Sequence, residues 1–316
     1  MEKSIGRDAF ATLDDLPGGV TATVRYRRFG SAASRAPLML AVHGFSMYSF
    51  VFDALVRKAT AAGFAIVTYD RPGRGRSPWP AGAVATQEFS VAVLRALAEH
   101  LGVASSIDTL VGISMGAAIV ACYVAEFGSA ACKRLVLMAP AGLTLPPPSL
   151  KESLIWLPGG VGRALFCAVA RQAMVESQPA AFAEPNAARN RDALAQNVHA
   201  VEEQWDSPAL GFAAALHSTL CNWPLGQSAA LLLTRVFRDV EATNVPVCIF
   251  WGDQDKTCPF ENLQTIRVLL PSARVHIVRG AAHELLHERF DETGALLLQF
   301  ASGGGGDGAH IMAARL

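Results

Sequence analysis

Charge is scarce in this chain of 316 residues: Asp, Glu, Lys and Arg make up 17% of it, and 27 basic side chains balance 27 acidic ones. With no basic excess there is no footprint for neutralising phosphates, so nucleic acid is not an expected partner. Long apolar runs are also missing. A membrane span needs about 18 nearly uninterrupted apolar residues, and the nearest candidate, Leu154 to Ala170, is broken by Pro158, Gly159, Gly160 and Arg163. Contact with a membrane surface remains open. The first residues, Met1-Glu2-Lys3-Ser4-Ile5-Gly6-Arg7-Asp8, lack the apolar stretch of a secretory leader, so the cytoplasm is the expected location. Six cysteines stand without C-x-x-C spacing, which points to reduced, packed thiols and away from a disulfide framework or zinc ribbon.

What is present is apolar: hydrophobic residues reach 51% and mean hydropathy is +0.28. Disorder and coiled coil are thereby excluded. Short runs rich in β-branched residues alternate with helical patterns, the signature of βαβ units and a mainly parallel sheet. Pro37 to His43, Phe64 to Tyr69, Asp108 to Ile113, Arg134 to Met138, Val245 to Trp251 and Arg274 to Val278 read as strands covered on both faces. Phe50 to Ala62, Thr86 to Leu101, Met115 to Phe127 and Glu261 to Leu270 read as helices.

The alternation breaks once. After Leu143 to Pro148 no strand-like sequence returns until Val245, and the interval holds helical stretches such as Val161 to Glu176, Asn186 to Gln204 and Gly226 to Val240. The expected organisation is an α/β core over 1–143 and 241–300, a helical cap over 144–240, and a glycine-rich tail over 301–316.

Gly112-Ile113-Ser114-Met115-Gly116 fits G-x-S-x-G where a predicted strand meets a predicted helix. A serine on so tight a turn presents its hydroxyl above the sheet, and the flanking glycines, Gly112 and Gly116, avoid clashes there. Such a nucleophile needs a base and an orienting carboxylate. Gly252-Asp253-Gln254-Asp255 and Gly280-Ala281-Ala282-His283 follow the last two strands, giving the order Ser, Asp, His. Loops that follow parallel strands gather at one sheet edge, so Ser114, His283 and an aspartate can converge. Asp253 and Asp255 both fall in the acid loop, and Asp255 is preferred. The backbone amides of Met115 and Phe45 are the expected oxyanion donors, with His43 as a structural histidine.

These segments, together with Tyr69-Asp70-Arg71-Pro72-Gly73-Arg74-Gly75-Arg76-Ser77, resemble the α/β-hydrolase fold superfamily in its cap-containing esterase, lipase and C–C hydrolase branch. The resemblance runs from about Thr21 to Phe300. It implies an eight-stranded-type sheet with an inserted lid, a Ser114-Asp255-His283 triad, and an oxyanion hole at Phe45 and Met115. Arg74 departs from the histidine common in relatives, with little functional consequence expected, and the arginines of that turn, which also suggest an anion site, read in preference as solvated charges.

His283-Glu284-Leu285-Leu286-His287 also spells H-E-x-x-H, the zinc-peptidase helix. The extended form with a third ligand is absent and His283 precedes the helix, so neither metal nor other cofactor is expected. The expected reaction is hydrolysis of carboxylic esters with apolar acyl or alkyl groups, medium-chain or monoacylglycerol-like, through an acyl-enzyme. Cleavage of a C–C bond in a β-diketone-like compound, or ligand binding without chemistry, are the alternatives. The cap offers Leu154, Ile155, Trp156, Leu157, Phe166, Trp205, Phe212 and Trp223 as apolar contacts, though most can be explained by lid packing. The final Ala314-Arg315-Leu316 resembles a peroxisomal S-K-L-type address, an alternative to the cytoplasm.

Overall fold

The computed structural model describes residues 6–30, 36–143, 159–223 and 227–304. The Pro146 to Pro148 linker, Leu154 to Leu157, and the terminal Ala314 to Leu316 lie outside the described residues. Among these residues eight strands form one sheet in the order β1-β2-β4-β3-β5-β6-β7-β8. The strands are β1 (Ala9–Leu16), β2 (Val20–Phe29), β3 (Leu38–Val42), β4 (Ala65–Tyr69), β5 (Thr109–Ile113), β6 (Arg134–Met138), β7 (Val247–Gly252) and β8 (Arg274–Val278). From β4 to β8 all pairings are parallel. Every residue of β3, β4, β5 and β7 is buried, as expected of apolar strands covered by helices on both faces.

Three helices cover the first half: α1 (Asp53–Ala61), α2 (Gln87–His100) and α3 (Met115–Phe127). A 3-10 turn, Ser49–Phe52, leads into α1. Thr86 caps α2, its hydroxyl accepting from the Phe89 amide at 3.1 Å. The insertion contributes α4 (Gly159–Ser177), α5 (Arg191–Trp205) and α6 (Phe212–Asn222). Phe166, Ala170, Leu210, Phe212 and Leu216 form their own small core. Next come α7 (Gln227–Ala242), α8 (Asn262–Leu269), α9 (Leu285–Glu288) and α10 (Phe290–Ala301). None of the described helices is long and apolar enough to cross a membrane.

Two features differ from the sequence reading. The hairpin β1–β2 went unforeseen, because its residues alternate buried and exposed where the other strands are continuously apolar. It joins the sheet antiparallel through β2 and β4. Of the stretch Gly226 to Val240, read as part of the cap, the described residues from Gln227 on belong to α7, which packs on α3. Its Leu233, Val236, Phe237 and Val240 enter the core of the sheet, so this helix flanks the sheet.

The turn after β4 is fixed by a buried ion pair. Arg25 Nη1 donates to Asp70 Oδ2 at 3.1 Å, and Asp70 Oδ1 accepts from the Ser49 amide. Ser77 Oγ then donates to the Asp70 carbonyl and accepts from the Arg25 amide. These bonds shape residues 70–77 so that Arg71 and Arg74 turn inward, at 7% and 1% exposure. The expectation of solvated charges holds only for Arg76, whose side chain is 67% exposed.

Phe237 is fully buried, so Phe237→Ala is expected to lower stability by about 3–5 kcal/mol in urea unfolding. A loss below about 1 kcal/mol would place α7 outside the cooperative core.

Candidate active site

The Ser114 turn is set by backbone crowding. A Cβ on Gly116 would overlap the Val42 carbonyl oxygen, and one on Gly112 would lie 2.5 Å from the Gly116 carbonyl oxygen. Only glycine lets α3 begin directly against β3 and β5. Ser114 takes the strain, with φ 55° and ψ −123°, and its amide donates to the Met138 carbonyl at 2.8 Å. Gly44 lies alongside: a Cβ there would be 3.2 Å from Ser114 Cβ.

The acid and base loops lock together at the neighbouring strand ends. A Cβ on Gly252 would overlap the Ala281 and Ala282 carbonyls. Asp253 Oδ1 accepts from the Gly280 amide at 2.8 Å, which holds the turn after β8. Asp255 Oδ2 meets His283 Nδ1 at 2.8 Å, and its Oδ1 accepts from the amides of Thr257 and Cys258 at 2.9 Å each. Of the two candidate acids, Asp255 is therefore the one in contact with the imidazole. The same hydrogen bond puts the proton on Nδ1 of a neutral ring and leaves Nε2 basic. The Cys258 thiol, on the acid loop, is close enough to the Ser114 side chain to feel it electrostatically, so the loop after β7 comes near the turn after β5. Burial, then the Asp255 carboxylate, pushes that thiol up.

Burial alone would lower the His283 pKa, but the Asp255 carboxylate, with a further contribution from Glu284, outweighs it and the net shift is upward. Glu284 is itself buried, and its Oε2 meets His287 Nδ1 at 2.8 Å. Glu288 secures the base loop: Oε2 accepts from the Ala282 amide at 2.6 Å and Oε1 from the Ala183 amide in the insertion at 2.8 Å. Neither role was read from the sequence: Glu284 lies within the H-E-x-x-H string, weighed there only as a metal motif and set aside, and Glu288 follows it directly. The helix starts only at Leu285, and the Nδ1 atoms of His283 and His287 are each engaged by a carboxylate, so the two histidines do not share a helical face.

The Phe45 amide has no acceptor among the described residues, and Met115 opens α3, where an amide lacks an intrahelical acceptor. His43 is fully buried; Nδ1 donates to the Gly44 carbonyl at 3.0 Å and Nε2 accepts from the Arg71 amide at 2.9 Å. Burial, then the charges of Arg71 and Arg74, hold it well below the usual histidine range, as a structural histidine. From the insertion, Gln204 Nε2 donates to the Ser46 carbonyl at 3.0 Å while Oε1 accepts from the Gly75 amide at 2.8 Å. Ser114 and His283 are 9% and 8% exposed. A depression of about 250 Å³ on the insertion is lined by Arg163, Cys167, Trp205, Phe212 and neighbours, none of them in the Ser114 constellation.

The model of the family described as serine aminopeptidase, S33, matches residues 33–290. The chain belongs to this family, within the α/β-hydrolase fold, and is an α/β-hydrolase enzyme of the serine type. A protein of Synechocystis sp., whose name assigns it provisionally as a non-heme chloroperoxidase, is 28% identical over 302 residues, covering 94% of this chain and 98% of that one. The bifunctional esterase/perhydrolase of Acinetobacter calcoaceticus is 27% identical over 232 residues, 72% of this chain and 77% of its own. Among solved structures, the Bacillus anthracis bromoperoxidase superposes with a TM-score of 0.70 at 20% identity, covering 93% of this chain and 100% of that one. A thermophilic esterase from Thermogutta terrifontis gives 0.69 at 18% identity, covering 94% and 99%.

Because a neutral imidazole is the base form, the acidic limb of kcat/KM is expected above the ordinary histidine value. In Glu284→Gln the limb should move to lower pH, since a charge favouring the imidazolium is removed. An unmoved limb would show that Glu284 does not act on His283.

Proposed function

We propose that this family member hydrolyses carboxylic esters through Ser114, His283 and Asp255. The observation that carries the reading is the strained Ser114 turn beside Gly44, together with the 2.8 Å contact by which Asp255 orients His283. In this mechanism His283 Nε2 takes the Ser114 proton as Oγ attacks the acyl carbon. The carbonyl oxygen becomes an oxyanion held by the amides of Phe45 and Met115, each donor worth roughly 2.7–4 kcal/mol in the transition state. His283 then protonates the departing alcohol. Water attacks the acyl-enzyme, gives its proton to His283, and the acid leaves as Ser114 is restored.

The proposed substrate carries an apolar acyl or alkyl group of medium length. Support comes from the insertion, which brings its small apolar core against Phe45. The lid in this reading is the part of the insertion that stands apart from the sheet, with described helices α4, α5 and α6, over a core built from the flanking segments. The names of the relatives favour a second acceptor: hydrogen peroxide in place of water would release the acyl group as a peracid.

A fluorophosphonate probe is expected to label the wild type and leave Ser114→Ala unlabelled, with kcat on a p-nitrophenyl ester falling about 10⁶-fold. An unlabelled wild type would overturn the serine reading. Rates along the p-nitrophenyl series should peak at medium acyl length; a maximum at acetate would remove the lipid-like substrate, and peracid formation in added peroxide would establish the second acceptor.

A further inference from the structure

We propose that Arg71 and Arg74 form a binding site for one small monovalent anion, of halide size, behind the oxyanion loop. The two guanidiniums are almost fully buried, yet among the described residues neither is paired with a carboxylate. Arg25, one strand away, shows the usual solution, with Asp70 and Asp8 both on its guanidinium. Arg71 Nη1 donates to the Gly44 carbonyl at 2.9 Å and touches Met115 Sδ at 3.5 Å. Its Nε and Nη2 make no hydrogen bond among the described residues. Arg74 donates from Nε to the Phe45 carbonyl at 2.6 Å, from Nη1 to the Gly73 carbonyl at 3.3 Å and from Nη2 to Thr219 Oγ1 at 3.5 Å. The rings of Phe45 and Phe212 flank it at 5.8 and 5.6 Å.

A small cavity is lined by both arginines together with Tyr69, Ser90 and Thr219, with Trp79 and Phe89 among the apolar remainder. Its charged side chains are guanidiniums and its polar ones hydroxyls that can donate; no carboxylate lines it. Two uncompensated cations in an apolar interior are costly, and a counter-ion relieves the cost. Burial pushes the Arg71 guanidinium down to about 10, and burial followed by the charge of Arg71 holds Arg74 well below its usual range. The space left for the centre of a water-sized sphere is about 10 Å³, room for one atom-sized guest. A single halide ion is small enough for that space. The anion would fix the two guanidiniums that hold the carbonyls of Gly44 and Phe45, and so the loop that presents the Phe45 amide. That kinetic consequence rests on the oxyanion reading above, whereas the binding site does not.

Crystals grown in bromide are expected to give an anomalous peak between Arg71 and Arg74, in the wild type and in Ser114→Ala alike. At constant ionic strength, replacing gluconate by chloride should raise the melting temperature saturably, on the order of 2–4 °C. Arg74→Met and the cavity-filling Ser90→Val should lose that rise, while Arg76→Met, altered at the exposed arginine, should keep it. Absence of the bromide peak, or equal melting in chloride and gluconate, would overturn the site. A chloride response that survives in both Arg74→Met and Ser90→Val would do the same. If those variants fail to fold, the bromide peak in the wild type decides alone. Labelled Ser114 without an anion would sink this inference and leave the esterase reading standing; a bound anion without labelling would do the reverse.

Discussion

A helix that starts on top of a neighbouring strand is the constraint from which the site descends. The Gly116 backbone lies so close to the Val42 carbonyl that a single Cβ would not fit. This closeness forces the chain between β5 and α3 through one strained residue, Ser114. A side chain on so sharp a turn has nowhere to go but up from the sheet. The same contact sets the end of β3 beside the nucleophile, and Gly44 and Phe45 follow immediately. Ser114, the α3 N-terminus and the Gly44-Phe45 loop are thus brought together by one packing distance, with the positive end of the α3 dipole at the Ser114 turn.

The insertion is fastened to that loop. Gln204 from α5 holds Ser46 and Gly75 together, Arg74 reaches from Phe45 toward Thr219 on α6, and Phe45 itself packs on the insertion's small core. Glu288 repeats the arrangement on the other side, tying the His283 loop to Ala183. The insertion therefore shares hydrogen bonds with both the Phe45 loop and the His283 loop.

Most of the parallel sheet was legible because its central strands are buried on both faces and read as unbroken apolar runs; Arg134–Met138 emerges with the boundaries the sequence suggests, and so does Arg274–Val278, although as the edge strand it is largely exposed and not covered on both faces. The β1–β2 hairpin obeys another rule. In Val20–Phe29 buried positions alternate with exposed ones, and Pro17-Gly18-Gly19 supplies the turn, a period-2 signal that a search for continuous runs passes over. Helix α7 was foreseen as a helix but not as a neighbour of α3, since periodicity reports an apolar face without saying which layer receives it. The arginines of the turn were misplaced for a related reason. Three charges among glycines look solvated, and only the long-range Arg25–Asp70 pair, 45 residues apart, turns two of them inward.

The acid loop shows how local spacing and long-range packing divide the work. Asp253 and Asp255 are equivalent by composition, and both stand within reach of the turn that carries His283. Their roles separate because Gly252 lets the loop lie flat against the Ala281 and Ala282 carbonyls, and that contact fixes which way each side chain leaves the backbone. Asp253 then meets the Gly280 amide and holds the turn. Asp255, two residues on, has its first oxygen satisfied by its own loop and its second free for the imidazole. A carboxylate anchored at one oxygen orients a histidine better than one free to rotate, because the second oxygen's position is then set by the backbone. The pair of aspartates is one device, in which the first holds the loop that carries His283 and the second fixes the His283 ring.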